Sequence, residues 1–310
     1  MIVTVTMNPA VDKTVEIETL ISGELNRITK VEYDAGGKGI NVSKAIHELG
    51  GKSIATGFLG GNNGRAIAGF LENSGIENDF IWTDGETRTN TKILERNGTV
   101  TELNEPGAAV TEKQMKALME KILNYAGSDT LFVLSGSRPG GVPADIYAQI
   151  IRAVHEKQGK VLLDTDGESL RLGIEEKPDI IKPNITELAE YAQIKEEVSE
   201  KKILQILEQL KNGGIETIAL SMGKSGAFFL LGDNILKCPS LSVKAHSTVG
   251  AGDAMVAGLA CSWERKLTEE ETVRLCMAVS AGAVMTTGTR PPEKELVNML
   301  EKKVRIIRLK

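Results

Sequence analysis

The sequence predicts an α/β protein: a mainly parallel central sheet with helices on both faces, accompanied by a smaller, separate β-sheet. Three observations predict it. Apolar strand patterns alternate with amphipathic helix patterns over most of the 310 residues, as a parallel sheet covered on both faces requires. Two polar, extended stretches interrupt that alternation with no helix inside them. Late in the chain a glycine-bracketed turn, Gly250-Ala251-Gly252, leads into a run of small and apolar residues.

The elements follow in order. Residues 1–7 alternate apolar side chains with threonine and read as a strand. Residues 38–49 carry helical spacing through Val42, Ile46 and Leu49 and stop at Gly50-Gly51. Residues 53–58 read as a strand, and 65–72 as a helix ending before Gly75. Further strands are expected at 130–135, 160–164, 179–182 and 217–221, with helices between them such as 112–125 and 144–157. The lysine-rich acidic stretch 195–202 reads as a solvated helix start.

The interruptions span about 14–34 and 81–104, the second turning at Asn97-Gly98, a hairpin signal. Both are too polar for a sheet buried on both faces. They are expected to form one small antiparallel sheet lying over a single domain of residues 1–310. A lid over a pocket and an exposed edge used for homodimerisation both fit, and the two are compatible.

Composition narrows the function. Hydrophobic residues make up 41% and charged residues 25% of the chain, enough for a sizeable core. The formal net charge is -5 and no basic block stands out, which argues against nucleic acid as the main partner. A small anionic ligand needs only a local basic pocket. Cys238, Cys261 and Cys276 form no CxxC and read as free thiols of a reduced compartment. The three histidines, His47, His155 and His246, have no metal-ligand spacing, and the first two are expected on solvated helix faces. No apolar stretch approaches the roughly 20 residues that span a bilayer, and the N-terminus reads as a strand and not a signal peptide. A cytoplasmic protein without a membrane partner is expected.

Two familiar nucleotide motifs fail. Gly51-Lys52-Ser53 resembles the end of a P-loop, but Ile46 occupies its first glycine position. Gly250 and Gly252 begin a dinucleotide fingerprint, but Met255 stands at its third glycine. What remains at residues 249–257 is an anion site: a helix start with unpaired N–H groups and a favourable dipole. Asp253 sits inside it. Alone, such an acid is a first-turn residue favoured by the dipole. Behind three residues that permit close ligand approach, it has the placement of a base beside a phosphate cradle, the geometry of phosphoryl transfer to an alcohol.

Residues 35–51 (AGGKGINVSKAIHELGG) and 247–258 (STVGAGDAMVAG) resemble the two signature regions of ribokinase-type (PfkB) sugar kinases. The resemblance runs over nearly the whole chain, through TMNPAVD (6–12), GETR (85–88), SGSRPGG (135–141), KPNITEL (182–188) and SMGKSGA (221–227). Within the family the chain looks most like bacterial kinases of phosphorylated ketohexoses, with fructose 1-phosphate the favoured acceptor. The resemblance implies a ribokinase-like fold, ATP as phosphoryl donor and Mg²⁺. It implies Asp253 as catalytic base and the N–H groups around Gly250, Ala251 and Gly252 as the anion hole. For the sugar phosphate it implies Asp12, Gly37, Lys38, Asn41, Arg88 and Ser137, with Arg27 assisting. For the nucleotide it implies Lys182, Asn184, Ser221, Gly223, Gly226, Ser247, Thr248 and Val249, besides Gly250 and Gly252, and small residues near Ala281 and Gly282 for the adenine. Glu187 would hold Mg²⁺ through water.

Residue chemistry alone leaves several of these open. Asp12 also suits a turn after Pro9, and Asn184 with Glu187 also suits a helix cap. Arg27 and Arg88 also suit a solvated surface. Arg138 departs from the leucine of many relatives and either contacts phosphate or points to solvent.

Overall fold

The computed structural model describes residues 1–246 and 248–310. The chain runs β1 (Ile2–Thr6), β2 (Ala10–Ile17), β3 (Lys30–Gly36), α1 (Lys38–Glu48), β4 (Ile54–Gly60), α2 (Gly61–Asn73), β5 (Glu77–Asn78), β6 (Ile81–Thr83), β7 (Arg88–Glu95) and β8 (Val100–Asn104). It continues through α3 (Glu112–Tyr125), β9 (Leu131–Ser135), α4 (Ile146–Glu156), β10 (Lys160–Asp164), α5 (Gly167–Glu175), β11 (Ile180–Ile181), α6 (Ile185–Tyr191) and α7 (Glu200–Asn212). It ends with β12 (Thr217–Ser221), β13 (Ala227–Leu231), β14 (Asn234–Cys238), α8 (Ala251–Arg265), α9 (Glu269–Ala283), α10 (Lys294–Glu301) and β15 (Ile307–Arg308).

The main sheet has the order β15-β14-β13-β12-β11-β10-β9-β1-β4-β5, with β6 also paired to β4. Strands from β12 to β5 pair in parallel, and β13 to β15 add an antiparallel edge. Period-2 alternation sends side chains to two cores. Ile2, Leu131 and Val133 pack on one face with Val42 and Ile46 of α1, Ala257 and Cys261 of α8 and Val279 of α9. Val3, Val5, Phe132 and Leu134 pack on the other with Leu118 of α3, Ile150 of α4, Leu170 of α5 and Leu207 of α7. The strands read as near-continuous apolar runs because both faces are covered.

The smaller sheet has the order β3-β2-β7-β8. It differs from expectation in three ways. It starts at Ala10, so Asp12 lies on its second strand and not in a turn after β1. Ile81–Thr83 belongs to the main sheet, opposite Phe58–Gly60 of β4. Its central pair, β2 with β7, is parallel, and the two strands follow β1 and β6, which run in the same direction in the main sheet; only the outer pairs are antiparallel.

Helix α2 begins at Gly61, four residues before the expected start, through weak helix formers. His155 is not simply solvated: it is half-buried, its Nε2 lying 3.1 Å from Asp179 Oδ2. All three cysteines are free and buried. Among the described residues no helix is long and apolar enough to cross a membrane.

Candidate active site

The C-terminal ends of the parallel strands, the starts of α1, α6 and α8 and the inner face of the small sheet enclose an open cleft of about 1050 Å³. That is the end of an α/β sheet where ligands bind.

Its centre is the start of α8. Gly250 is the N-cap residue with φ 83°, a left-handed conformation that glycine adopts without a Cβ penalty, and no side chain caps the helix. The first N–H groups of an α-helix have no intrahelical acceptor, so those of Ala251, Gly252 and Asp253 are left for a ligand. Asp253 occupies the first turn and is buried. The Asn41 side-chain amide, on α1, donates to its Oδ2 at 2.8 Å. Burial, reinforced by the nearby Asp164 charge, raises the Asp253 pKa to about 6, against the opposing pull of Lys38, the Asn41 hydrogen bond and Lys182.

Asp164, at the end of β10, is 1% exposed and lies between two ammonium groups: Lys182 Nζ at 3.2 Å and Lys38 Nζ at 3.5 Å. Burial pushes its pKa up, but the two lysines outweigh burial and hold it below the ordinary carboxylate value. Lys38 in turn is raised, above all by Asp164. The pairs link Lys38, expected on the acceptor side, to Lys182, expected on the nucleotide side.

On the acceptor side Asp12 faces the cleft, its carboxylate lying against Gly36, where an added Cβ would meet it at 2.6 Å. Asn90 Nδ2 reaches Asp12 Oδ1 at 3.4 Å and Lys92 Nζ reaches Oδ2 at 3.2 Å. The Arg88 guanidinium is aimed by two backbone carbonyls, Glu105 O at 2.9 Å and Asn8 O at 3.1 Å, while its buried Nε has no partner among the described residues. Gly37 and Lys38 also line the cleft.

Two expected acceptor residues are not brought in. Arg27 is exposed on the β2–β3 connection and does not line the cleft. Ser137 lies beside it, its Oγ accepting from Asn8 Nδ2 at 3.4 Å. Arg138 is turned away: its Nε donates to Ser169 Oγ at 3.0 Å and its Nη1 to Val142 O at 2.8 Å, fastening its own loop to α5.

Of the residues expected at the nucleotide and its metal, Lys182, Asn184, Glu187, Ser221, Gly223, Gly226, Thr248 and Val249 line the cleft. Ser247 lies outside the described residues. Asn184 and Glu187 form a capping box at the start of α6: Glu187 N donates to Asn184 Oδ1 at 2.9 Å and Asn184 N to Glu187 Oε2 at 2.8 Å. Burial raises the Glu187 pKa. Ala281 lines the cleft, whereas Gly282 faces Pro292. Among the described residues no cluster of three or more His, Cys, Asp or Glu side chains is poised to hold a metal.

Sequence reasoning missed Asp164, Asn90 and Lys92. Signals existed for each. Asp164 ends an apolar strand at the ligand-binding edge, and Asn90 and Lys92 follow Arg88 at period 2, which puts all three on one face of a strand.

Comparison with known proteins agrees with this fold. The family model for pfkB family carbohydrate kinases matches residues 2–296. The 1-phosphofructokinase of Vibrio cholerae is 34% identical over 305 residues, 98% of this chain and 96% of that one. Phosphofructokinase-2 from Escherichia coli in complex with substrates and products superposes with a TM-score of 0.93 at 27% identity, over 97% of this chain and 98% of that one. The tetrameric inhibited form of the same Escherichia coli enzyme superposes with a TM-score of 0.91 at 26% identity, with the same coverage.

Proposed function

This chain belongs to the pfkB family of carbohydrate kinases, and from that premise we propose that it transfers a phosphoryl group from ATP to fructose 1-phosphate, giving fructose 1,6-bisphosphate. The observation that carries the reading is Asp253: a buried carboxylate in the first turn of an uncapped helix, its pKa raised to about 6. The name of the Vibrio cholerae relative supports the acceptor.

In this mechanism the acceptor's 6-hydroxyl lies between Asp253 and the γ-phosphate. Its oxygen attacks phosphorus, its proton passes to Asp253, and the bond to the β-phosphate oxygen breaks to release ADP. A pKa near 6 leaves Asp253 ionised at neutral pH, yet basic enough to take the proton. The N–H groups of Ala251, Gly252 and Asp253 stabilise the charge developing on the transferred group, each donor contributing about 3 kcal/mol. Asn41 holds the base in place. Lys38 and Lys182 supply positive charge on the two sides of the transfer, held in place by the Asp164 carboxylate between them. Arg88 takes the acceptor's phosphate through its planar fork. Asn184, Ser221, Gly223 and Gly226 flank the nucleotide.

Mg²⁺ would be held chiefly by the nucleotide phosphates, with Glu187 reaching it through water. One cleft carboxylate with a single oxygen engaged in its capping box fits a cation that keeps most of its water, and the ion would neutralise phosphate charge. The small sheet acts as a lid on a single kinase domain. We also propose that its opposite face pairs with a second copy. Strand register puts Tyr33 and Leu103 in one row and Val31 in the next, exposed by 66%, 57% and 41%, an apolar patch unusual on a monomer. Light scattering of the purified protein should give a dimer or larger; a strict monomer contradicts this part.

A coupled ADP-release assay tests the activity. Fructose 1-phosphate should give the highest kcat/KM, ahead of fructose 6-phosphate, tagatose 6-phosphate and unphosphorylated sugars. Preference for tagatose 6-phosphate or fructose 6-phosphate would move the acceptor within the family. No turnover of any of them would point to a sugar-phosphate-binding regulator that has lost catalysis, a reading the intact Asp253 and its glycine turn oppose.

A further inference from the structure

The lid strand β7 places Arg88, Asn90 and Lys92 in a row on the cleft face. Arg88 is accounted for by the acceptor's phosphate; Asn90 and Lys92 have no assigned task. Their geometry is specific. Both reach the carboxylate of Asp12, one at each oxygen, at 3.4 and 3.2 Å. The side chains of Lys92 and Asp12 are only 13% and 10% exposed. Asn90 Oδ1 is buried and has no hydrogen-bond partner among the described residues.

A structural ion pair alone does not need this arrangement. A buried amide oxygen without a donor costs about 1–3 kcal/mol, so its retention on a cleft wall marks a place for an incoming hydroxyl. Each Asp12 oxygen, occupied once, keeps a further lone-pair direction, and an ammonium with three donors has two left after meeting Asp12. With the second N–H of the Asn90 amide, the trio therefore presents three acceptors and three donors on one polar surface. Two neighbouring ring hydroxyls match it: each donates to Asp12 or to Asn90 Oδ1, and each accepts from Lys92.

We infer that Asn90 and Lys92, together with Asp12, read the ring hydroxyls of the acceptor sugar and set its stereochemical specificity. The inference rests on the proposed kinase reading and deepens it. An acceptor epimeric at C3 or C4 moves one hydroxyl away from the trio and leaves a buried donor or acceptor unpaired, the situation in which a polar site discriminates most strongly. Lys92 fixes the orientation of Asp12 and meets the sugar when it binds. The phosphate stays with Arg88, so the two recognition tasks fall on successive inward positions of one strand.

The test compares wild type, Lys92→Met and Asn90→Ala with fructose 1-phosphate, its C4 epimer tagatose 1-phosphate and its C3 epimer psicose 1-phosphate. In Lys92→Met the KM for fructose 1-phosphate should rise about tenfold or more, as loss of a hydrogen bond from a charged donor predicts, with the KM for ATP unchanged within about twofold. The wild-type preference for fructose 1-phosphate over its epimers should shrink at least about fivefold in the same variant. Lys92→Arg, which keeps the charge, should recover part of the loss. An unchanged acceptor KM and epimer preference in Lys92→Met would overturn the inference, as would parallel losses for acceptor and ATP. Thermal unfolding checks the fold; if Lys92→Met does not fold, Asn90→Ala carries the same epimer comparison with the same criteria. Failure of wild type to use any ketohexose phosphate would instead remove the kinase reading itself, before any variant is compared.

Discussion

Three helix starts open onto the same cleft, and two of them, α6 and α8, are built in opposite ways. At α6 the backbone donors are met from within: Asn184 caps Glu187, Glu187 returns the bond, and the helix end is complete without a ligand. At α8 no side chain caps the helix, the N-cap is a left-handed glycine, and the first turn holds a buried acid whose pKa lies about two units above the ordinary 3.8. The first arrangement favours the folded chain. On the proposed mechanism the second gives up stability for chemistry, its open donors and desolvated charge being completed by a phosphoryl group and a hydroxyl. A helix start that its own side chains leave unfinished, with a buried acid in its first turn, is where the proposed mechanism puts the reacting end of the cleft.

The contrast breaks most severely at Asp253. Asp253→Asn should lower kcat by about 10² or more, the range for a lost general base, with fructose 1-phosphate still bound in calorimetric titration. The same change should raise thermal stability at pH 7.5. A carboxyl whose folded pKa is raised favours folding below its unfolded pKa, near 3.8, and that contribution is lost as pH rises through about 6. Asparagine removes the penalty that remains above that window. Lower stability of the variant at pH 7.5 would show that the charge is compensated.

Gly252→Ala sharpens the comparison. A Cβ there would come no closer than 3.6 Å to Lys182 Nζ, so it fits the empty protein. Alanine in a helix should stabilise it by about 0.5–1 kcal/mol, while the methyl group occupies the phosphate cradle and reduces kcat/KM for ATP about tenfold or more, as loss of one anion-hole donor would. Full activity in this variant would mean that phosphate does not sit against this turn. The smallest effect is expected at the closed helix. Asn184→Ala should cost about 1 kcal/mol of stability through the lost cap, measured by urea unfolding, and should change kcat far less than Asp253→Asn.

Much of this was legible in the sequence, for physical reasons. The buried parallel strands announce themselves as apolar runs, and the residues 160–164 and 217–221 match β10 and β12 at both ends. The glycine turn before Asp253 was visible because Gly250 and Gly252 stand just before an acid at a helix start, a local pattern. Residues whose meaning depends on pairing across the fold were not visible. Asp164 is an acid after a strand until Lys38 and Lys182, 126 residues before it and 18 after it, are brought to its two oxygens. Lys92 looks like a solvated strand residue until β2 lies parallel beside β7 and sets Asp12 against it. Arg138 was undecidable because its partners, Ser169 Oγ and Val142 O, come from a helix and a loop turn that no local pattern specifies.

The most direct test of the central claim is the pH dependence of kcat/KM for fructose 1-phosphate in wild type and in Asp253→Asn. A carboxylate base with a pKa of about 6 predicts a plateau at neutral pH and a tenfold fall per pH unit below about 6 in wild type, a limb absent from the residual activity of the variant. A wild-type profile that stays flat from pH 7 to pH 5, or a variant that keeps the same acid limb, would contradict the assignment of Asp253 as the group that takes the proton.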